Sequence, residues 1–226
     1  MQFVRVMSFN VYSPEFLEGE EPENINDIWA NRADLNIRTI QRYRPAIIGF
    51  QEYSGQQHAS YQGCFPEYEM RAELSGGGLN GNAIFYQRDR FNLLRSGDFW
   101  LTRTPARPAP DWDLPYALSV HWLLLRWKDS DDALLYLNTQ FEDGWDPNQI
   151  QMREEGSKIL LAKIEELSGD TPGVPVLLTG DFNTHVFDPV YHRFLRHGFI
   201  DTYRATGNPD NEAASTFHGF QGTAYR

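Results

Sequence analysis

Short apolar runs that each stop at polar side chains constrain this chain more than any other feature. Phe3, Val4, Val6, Met7 and Phe9 lead to Asn10. Residues 46–50 are apolar and meet Gln51 and Glu52. Residues 176–178 lead through Gly180 to Asp181 and Asn183, two positions apart. Runs of this length, bounded by turn-forming residues, read as strands. Further strands are expected at residues 79–86, 91–100, 119–127 and 133–139. The first two of these form a pair across the turn at residues 88–90, and the last two form a second pair.

Helices are expected between these strands. Residues 27–44 have loosely periodic apolar positions, Ile28, Leu35 and Ile40, and stop at Arg44-Pro45. Asp146-Pro147 is a helix start. From there Met152, Gly156, Leu160, Ile164 and Leu167 line one face as far as the stop at Gly169 and Pro172. Residues 188–197 read as a short helix, the proline-rich stretch 102–115 as a loop, and residues 215–220 as a last strand. No regular βαβ rhythm is visible, so the expectation is an α+β fold, a sheet sandwich flanked by helices. With 226 residues, 41% of them hydrophobic, the chain suits one globular domain.

Charge and cysteine usage narrow the function. A net charge of −11 opposes tight non-specific binding to long nucleic acid, which calls for a basic surface. It is compatible with a small phosphorylated substrate held through a metal ion. The one cysteine, Cys64, excludes an internal disulfide and fits a reducing compartment. No leader pattern opens the chain, and no apolar run approaches the ~20 residues of a membrane span. The expected location is the cytoplasm.

The strand ends carry the chemistry. Asn10, Glu52, Asp181 and Asn183 supply carboxylate and amide oxygens without thiolates or a histidine pair. That set suits Mg²⁺ or Mn²⁺ better than zinc. Taken singly, each residue has an ordinary explanation, because Gly, Asp and Asn are all favoured in turns. Taken together, in this order and at strand ends, they describe a cleft that activates water against a phosphate.

The segments MSFNVY (7–12), IIGFQEY (47–53), NAIFYQRDRF (82–91), LNTQFED (137–143) and LLTGDFN (177–183) resemble, in that order, the endonuclease/exonuclease/phosphatase superfamily of metal-dependent phosphoesterases. WANR (29–32), FWLTRTP (99–105), MREEGSKILL (152–161), FIDTYR (199–204) and STFHGF (215–220) extend the resemblance over nearly the whole chain. It looks nearest to the bacterial metal-dependent hydrolase branch, with kinship to the deadenylase-like branch. The resemblance implies a four-layered α/β sandwich of two packed mixed sheets flanked by helices. It also implies roles. Glu52 is the direct metal ligand, and Asn10 helps to hold that shell. Asp181 orients and deprotonates the attacking water, and Asn183 positions the phosphate. Gln51 supports from behind. By position, Asn138 and His185 are read as substrate-side residues, His185 being the best local alternative to the family's terminal histidine.

Two departures from the family pattern stand out. The family usually reads Asn-Thr-His-Leu-Asp-His where this chain has Asn138, Thr139, Gln140, Phe141, Glu142 and Asp143. Gln140 can donate a hydrogen bond to a phosphate oxygen but delivers no proton at neutral pH. Slow turnover or a good leaving group is therefore expected. The family also continues past a TFHGF-like strand to a terminal Ser-Asp-His, and here the sequence reaches Arg226 without it. The expectation is a C-terminally truncated single domain lacking the terminal strands, or one whose sheet a second chain completes. Among the histidines, His218 and His121 read as structural members of apolar strands. The functions in competition are a phosphomonoesterase or phosphodiesterase, a nuclease, and a catalytically impaired binding or scaffold protein.

Overall fold

The computed structural model describes residues 3–12, 25–72, 81–109, 111, 117–209 and 216–221. The chain divides into two compact units, Met1–Asn183 and Thr184–Arg226. In the first unit the strands are β1 (Val6–Asn10), β2 (Ile47–Tyr53), β3 (Tyr68–Ala72), β4 (Gly81–Gln87), β5 (Phe91–Trp100), β6 (Ser119–Trp127), β7 (Ala133–Gln140) and β8 (Val176–Asp181). Its helices are α1 (Trp29–Tyr43), α2 (Gly55–Tyr61) and α3 (Pro147–Gly169), with a 3-10 turn at Ile25–Asp27.

Two four-stranded mixed sheets result, in the orders β1-β2-β4-β3 and β5-β6-β7-β8. The two sheets pack face to face with helices outside them, in the expected sandwich. Each sheet contains one parallel pair, β1 with β2 and β7 with β8. Helices α1 and α3 make the respective crossovers. The sequence rhythm conceals these two βαβ units because hairpin strands separate them.

Alternation along β2 shows how the layers are built. Ile47 joins Ile84, Leu123, Leu125 and Tyr136 in the core between the sheets. Its neighbour Ile48 joins Phe50, Phe85, Trp29 and Ile40 in the core beneath α1. A strand buried on both faces reads as a continuous apolar run, which is why residues 46–50 carry no polar interruption. Gly49 points inwards, where an added Cβ would lie 2.3 Å from the Asn138 amide oxygen and 2.6 Å from the Thr179 hydroxyl. This glycine is what lets the sheets approach at that level.

Several local expectations change. The stretch 79–86 and β5 do not pair: β4 joins β2 and β3, and β5 joins β6. The turn at residues 88–90 carries the chain from one sheet to the other. The cause is burial, since residues 82–86 of β4 are all buried and require neighbours on both edges and both faces. Leu79 lies outside the described residues. Helix α1 buries Trp29, Arg32, Asn36 and Ile40 and exposes Leu35, so its inward stripe is partly polar. Helix α2 was concealed by polar composition. It starts at a capping box in which Ser54 accepts from the backbone of Gln56. Helix α3 begins as expected, with Asp146 accepting from the N–H groups of Asn148 and Gln149. Residues 216–221 form no strand, and Ser215 and residues 222–226 lie outside the described set.

The second unit holds α4 (Pro189–Arg196) and α5 (Thr202–Ala205). Asp201 ties it together. Its carboxylate accepts from the Tyr191 hydroxyl at 2.9 Å and caps α5 through the N–H groups of Tyr203 and Arg204. Among the described residues, no helix is long and apolar enough to cross a membrane.

Candidate active site

Register places the polar strand ends together. Asn10 is the last residue of β1 and pairs with Gln51 of β2. In the other sheet, Gln140 is the last residue of β7 and pairs with Asp181 of β8. The parallel pairs of the two sheets therefore end at a common edge. The Asn10 amide nitrogen donates to Glu52 Oε1 at 2.7 Å and to Asp181 Oδ2 at 2.9 Å. The Gln140 amide nitrogen donates to the same Glu52 oxygen at 3.0 Å. Four of the predicted residues, two from each sheet, thus form one hydrogen-bonded cluster.

The Asn10 amide is oriented by the backbone, since its Oδ1 accepts the Tyr12 N–H at 2.8 Å. Asn10 thereby turns its nitrogen to both carboxylates and acts as their bridge. Asn183 is fixed in two ways. Its N–H donates to Asp181 Oδ1 at 3.2 Å, and its side-chain amide donates to the Phe141 carbonyl at 2.8 Å. Both Asp181 oxygens are therefore held.

The backbone bends to present these groups. Glu52 has φ of 54° and Asn183 has φ of 45°. Asparagine tolerates this left-handed region, but glutamate rarely enters it. At Glu52 the bend coincides with a register shift between Phe50 and Tyr53 against β4, a bulge that re-aims the side chain. Such conformations cost about 1–3 kcal/mol each and gather at functional sites.

Asn138, expected on the substrate side, is fully buried, and its amide is engaged inside the sandwich. Its amide nitrogen donates to the carbonyls of Phe50 and Ala83, at 2.8 and 3.3 Å. Its oxygen accepts from Gln51 at 2.7 Å and from the Thr179 hydroxyl at 3.1 Å. Asn138 is a polar keystone that ties β7 to β2 and β4 across the sandwich. Gln51 extends the tie to Ser8 and Gly49, and the Tyr136 hydroxyl bonds Thr179 at 2.6 Å. Burial holds the Tyr136 phenol well above its usual range, so this link stays protonated. Satisfied networks of this kind fix one geometry. His185 belongs to the second unit, where its backbone N–H donates to Asp188 at 2.7 Å.

Two arginines complete the edge in a way the sequence concealed. Arg32 of α1 donates to the carbonyls of Val11 and Tyr12, both at 2.7 Å. Arg153 of α3 donates to those of Glu142 and Gly144, at 3.0 and 2.7 Å. Each buried guanidinium holds the backbone just beyond a strand that ends in a site residue. WANR and MREEGSKILL carried these residues, but only the fold shows what each arginine grips.

Among the described residues no three His, Cys, Asp or Glu side chains form a metal cage. The cluster offers two carboxylates steadied by amides. That donor set fits Mg²⁺ or Mn²⁺, since Mg²⁺ keeps several waters and takes one or two protein carboxylates. Glu52 would hold the ion, with Asp181 beside it.

Residues 7–225 match the family model described as the Endonuclease/Exonuclease/phosphatase family. Carbon catabolite repressor protein 4 homolog 3 of Arabidopsis thaliana is 28% identical over 171 residues, which cover 73% of this chain and 35% of that protein. Nocturnin of Drosophila melanogaster is 25% identical over 183 residues, or 74% of this chain and 26% of that protein. The chain thus spans about a third or less of these relatives' length. Among solved structures, a mannosyl-6-phosphatase from Bacteroides thetaiotaomicron superposes with a TM-score of 0.75 and 26% identity, over 89% of this chain and 74% of that one. With the family model covering nearly its whole length and the two sheets meeting at the expected polar edge, this chain belongs to the endonuclease/exonuclease/phosphatase family.

Proposed function

We propose that this protein hydrolyses a phosphoric ester in a reaction dependent on Mg²⁺ or Mn²⁺, with a small phosphorylated molecule as substrate. The observation that carries this reading is the bridging of Glu52 and Asp181, from opposite sheets, by the single amide nitrogen of Asn10. Two carboxylates brought to one donor favour a cation beside them. When bound, the metal ion neutralises phosphate charge and stabilises the leaving oxygen. Asp181, held at both oxygens, accepts the proton of the attacking water. Asn183 orients Asp181 and lies next to the phosphate. Gln140 donates to Glu52 and, at the same edge, to a phosphate oxygen. The net charge of −11 favours a small substrate over long nucleic acid, and the mannosyl-6-phosphatase neighbour makes sugar phosphates the first class to try.

The test is hydrolysis of 4-nitrophenyl phosphate and bis(4-nitrophenyl) phosphate with Mg²⁺, Mn²⁺ or EDTA. Metal-dependent turnover, lowered by about 10²-fold or more in Asp181→Asn, is the expected result. Metal binding by calorimetry without turnover on any phosphate ester would support a scaffold role instead.

A further inference from the structure

The site as described lacks a proton donor for the leaving oxygen, because Gln140 cannot serve as an acid. A buried imidazole stands one strand away. His121, on β6, is 3% exposed. Its Nδ1 lies 2.5 Å from Asp98 Oδ1 on β5, its register partner. Its Nε2 lies 3.4 Å from the Ser119 hydroxyl, two residues back on the same face. Asp98, His121 and Ser119 therefore form a hydrogen-bonded chain from a carboxylate to a hydroxyl.

Register shows where this chain opens. His121 pairs with Asn138, and Val120 with Thr139. One further step sets Ser119 opposite Gln140. Side chains opposite each other share a face, and Asn138 and Gln140 both reach the first sheet, at Phe50 and Glu52. Ser119 thus stands beside Gln140 on the inner face at the site edge. Its position is fixed, since its carbonyl accepts from Asn82 and from Thr139, both at 2.9 Å. The Asn82 side chain also approaches the Ser119 hydroxyl at 3.4 Å.

The geometry points to Asp98–His121–Ser119 as a proton relay that delivers a proton to the leaving-group oxygen beside Gln140. This inference rests on the phosphoesterase reading above. As the P–O bond breaks, its electron pair stays on the leaving oxygen. That oxygen takes the Ser119 hydroxyl proton, and Ser119 takes the proton from His121 Nε2. The imidazole ends neutral, still donating through Nδ1 to Asp98, and regains its proton from solvent. The proton that Asp181 takes from the attacking water leaves to solvent, so the cycle balances. The separation of 3.4 Å is long for a hydrogen bond, and catalytic contacts commonly tighten only with substrate bound. The groups facing His121 are Asp98 from β5, Ser119 from its own strand, Asn138 from β7, and Asn82 from β4 through Ser119. Asp98 alone among these carries charge. The relay delivers its proton only from a protonated His121.

The experiment compares alkyl and 4-nitrophenyl phosphates in the presence of Mn²⁺. Alkoxide needs the proton, and nitrophenolate leaves without it. In His121→Gln and Ser119→Ala, kcat/KM for the alkyl ester should fall about tenfold or more, while the nitrophenyl ester should change less than about threefold. Asp98→Asn should lower the alkyl rate in the same selective way. Equal losses on both esters, or no loss on the alkyl ester, would overturn the relay. Ser119→Ala keeps the test open if His121→Gln does not fold. If Asp181→Asn leaves either reaction unchanged, the hydrolase reading itself fails, which is a separate result.

Discussion

The residue scale shows which parts of the site could be read from the chain. Glu52, Asp181, Asn183 and Asn10 were legible because they occur together, in order and at strand ends, although each alone is ordinary there. The work of Asn138 was not legible. Its neighbours along the chain are ordinary, and its partners Gln51, Phe50 and Thr179 lie 41 to 88 positions away. Replacing Asn138 with alanine would remove its bonds to the Phe50 and Ala83 carbonyls, Gln51 and Thr179, although Gln51 and Thr179 keep other partners. A buried hydrogen-bonding group left unpaired costs about 1–3 kcal/mol, so Asn138→Ala should lower unfolding free energy by about 1–3 kcal/mol in urea melts. Glu52 gives the opposite expectation. Its φ of 54° is a conformation glycine adopts freely. In metal-free buffer Glu52→Gly should melt no lower than the parent while losing activity in Mn²⁺. A clear drop in melting temperature would argue against stored strain there. Gln140→His should raise kcat/KM on an alkyl phosphodiester, since it restores an imidazole beside the scissile bond.

At the scale of elements, periodicity recovered α1 and α3 to within a few residues, but it matched the inward face of α1 only at Ile40. The inward stripe includes Arg32 and Asn36, and no apolar pattern marks a guanidinium buried against carbonyls. The pairing of β4 was misread for a related reason. A tight turn between two strands suggests a hairpin, yet here it changes sheets, because β4 needs partners on both edges. Close approach between elements is also testable. At Gly49 a methyl group would meet Asn138 at 2.3 Å, too near for any side-chain adjustment that keeps the Gln51 bond. Gly49→Ala should therefore cost more than about 2 kcal/mol and should lower activity along with stability. At Gly173 nothing lies within 4 Å, but its φ of 81° opposes a side chain. Gly173→Ala should cost about 1 kcal/mol and leave activity unchanged. The contrast separates damage to the sheet contact from a backbone effect.

For the molecule as a whole, the two sheets are similar devices. Each has a parallel pair, a crossover helix with a buried arginine, and a strand ending at the common edge. The site exists only where they meet, which is why no single segment announced it. The interior also sets a pH limit. Burial holds the phenols of Tyr53, Tyr61 and Tyr136 well above their ordinary value of 10.0. Groups raised on folding contribute stability that is complete below the unfolded value and is lost as pH rises towards the folded one. Melting temperature should therefore be insensitive to these tyrosines up to about pH 9 and should fall steeply above pH 10. Tyr136→Phe should lessen that fall.

The most direct test of the central claim is the Mn²⁺ dependence of kcat/KM for a phosphate ester in the parent and in Glu52→Gln. The expected result is a rate that saturates with Mn²⁺, disappears in EDTA, and drops by about 10²-fold or more when Glu52 loses its charge. Undiminished turnover in EDTA, or a Glu52→Gln rate equal to the parent's, would contradict a metal-dependent phosphoesterase site at the meeting of the two sheets.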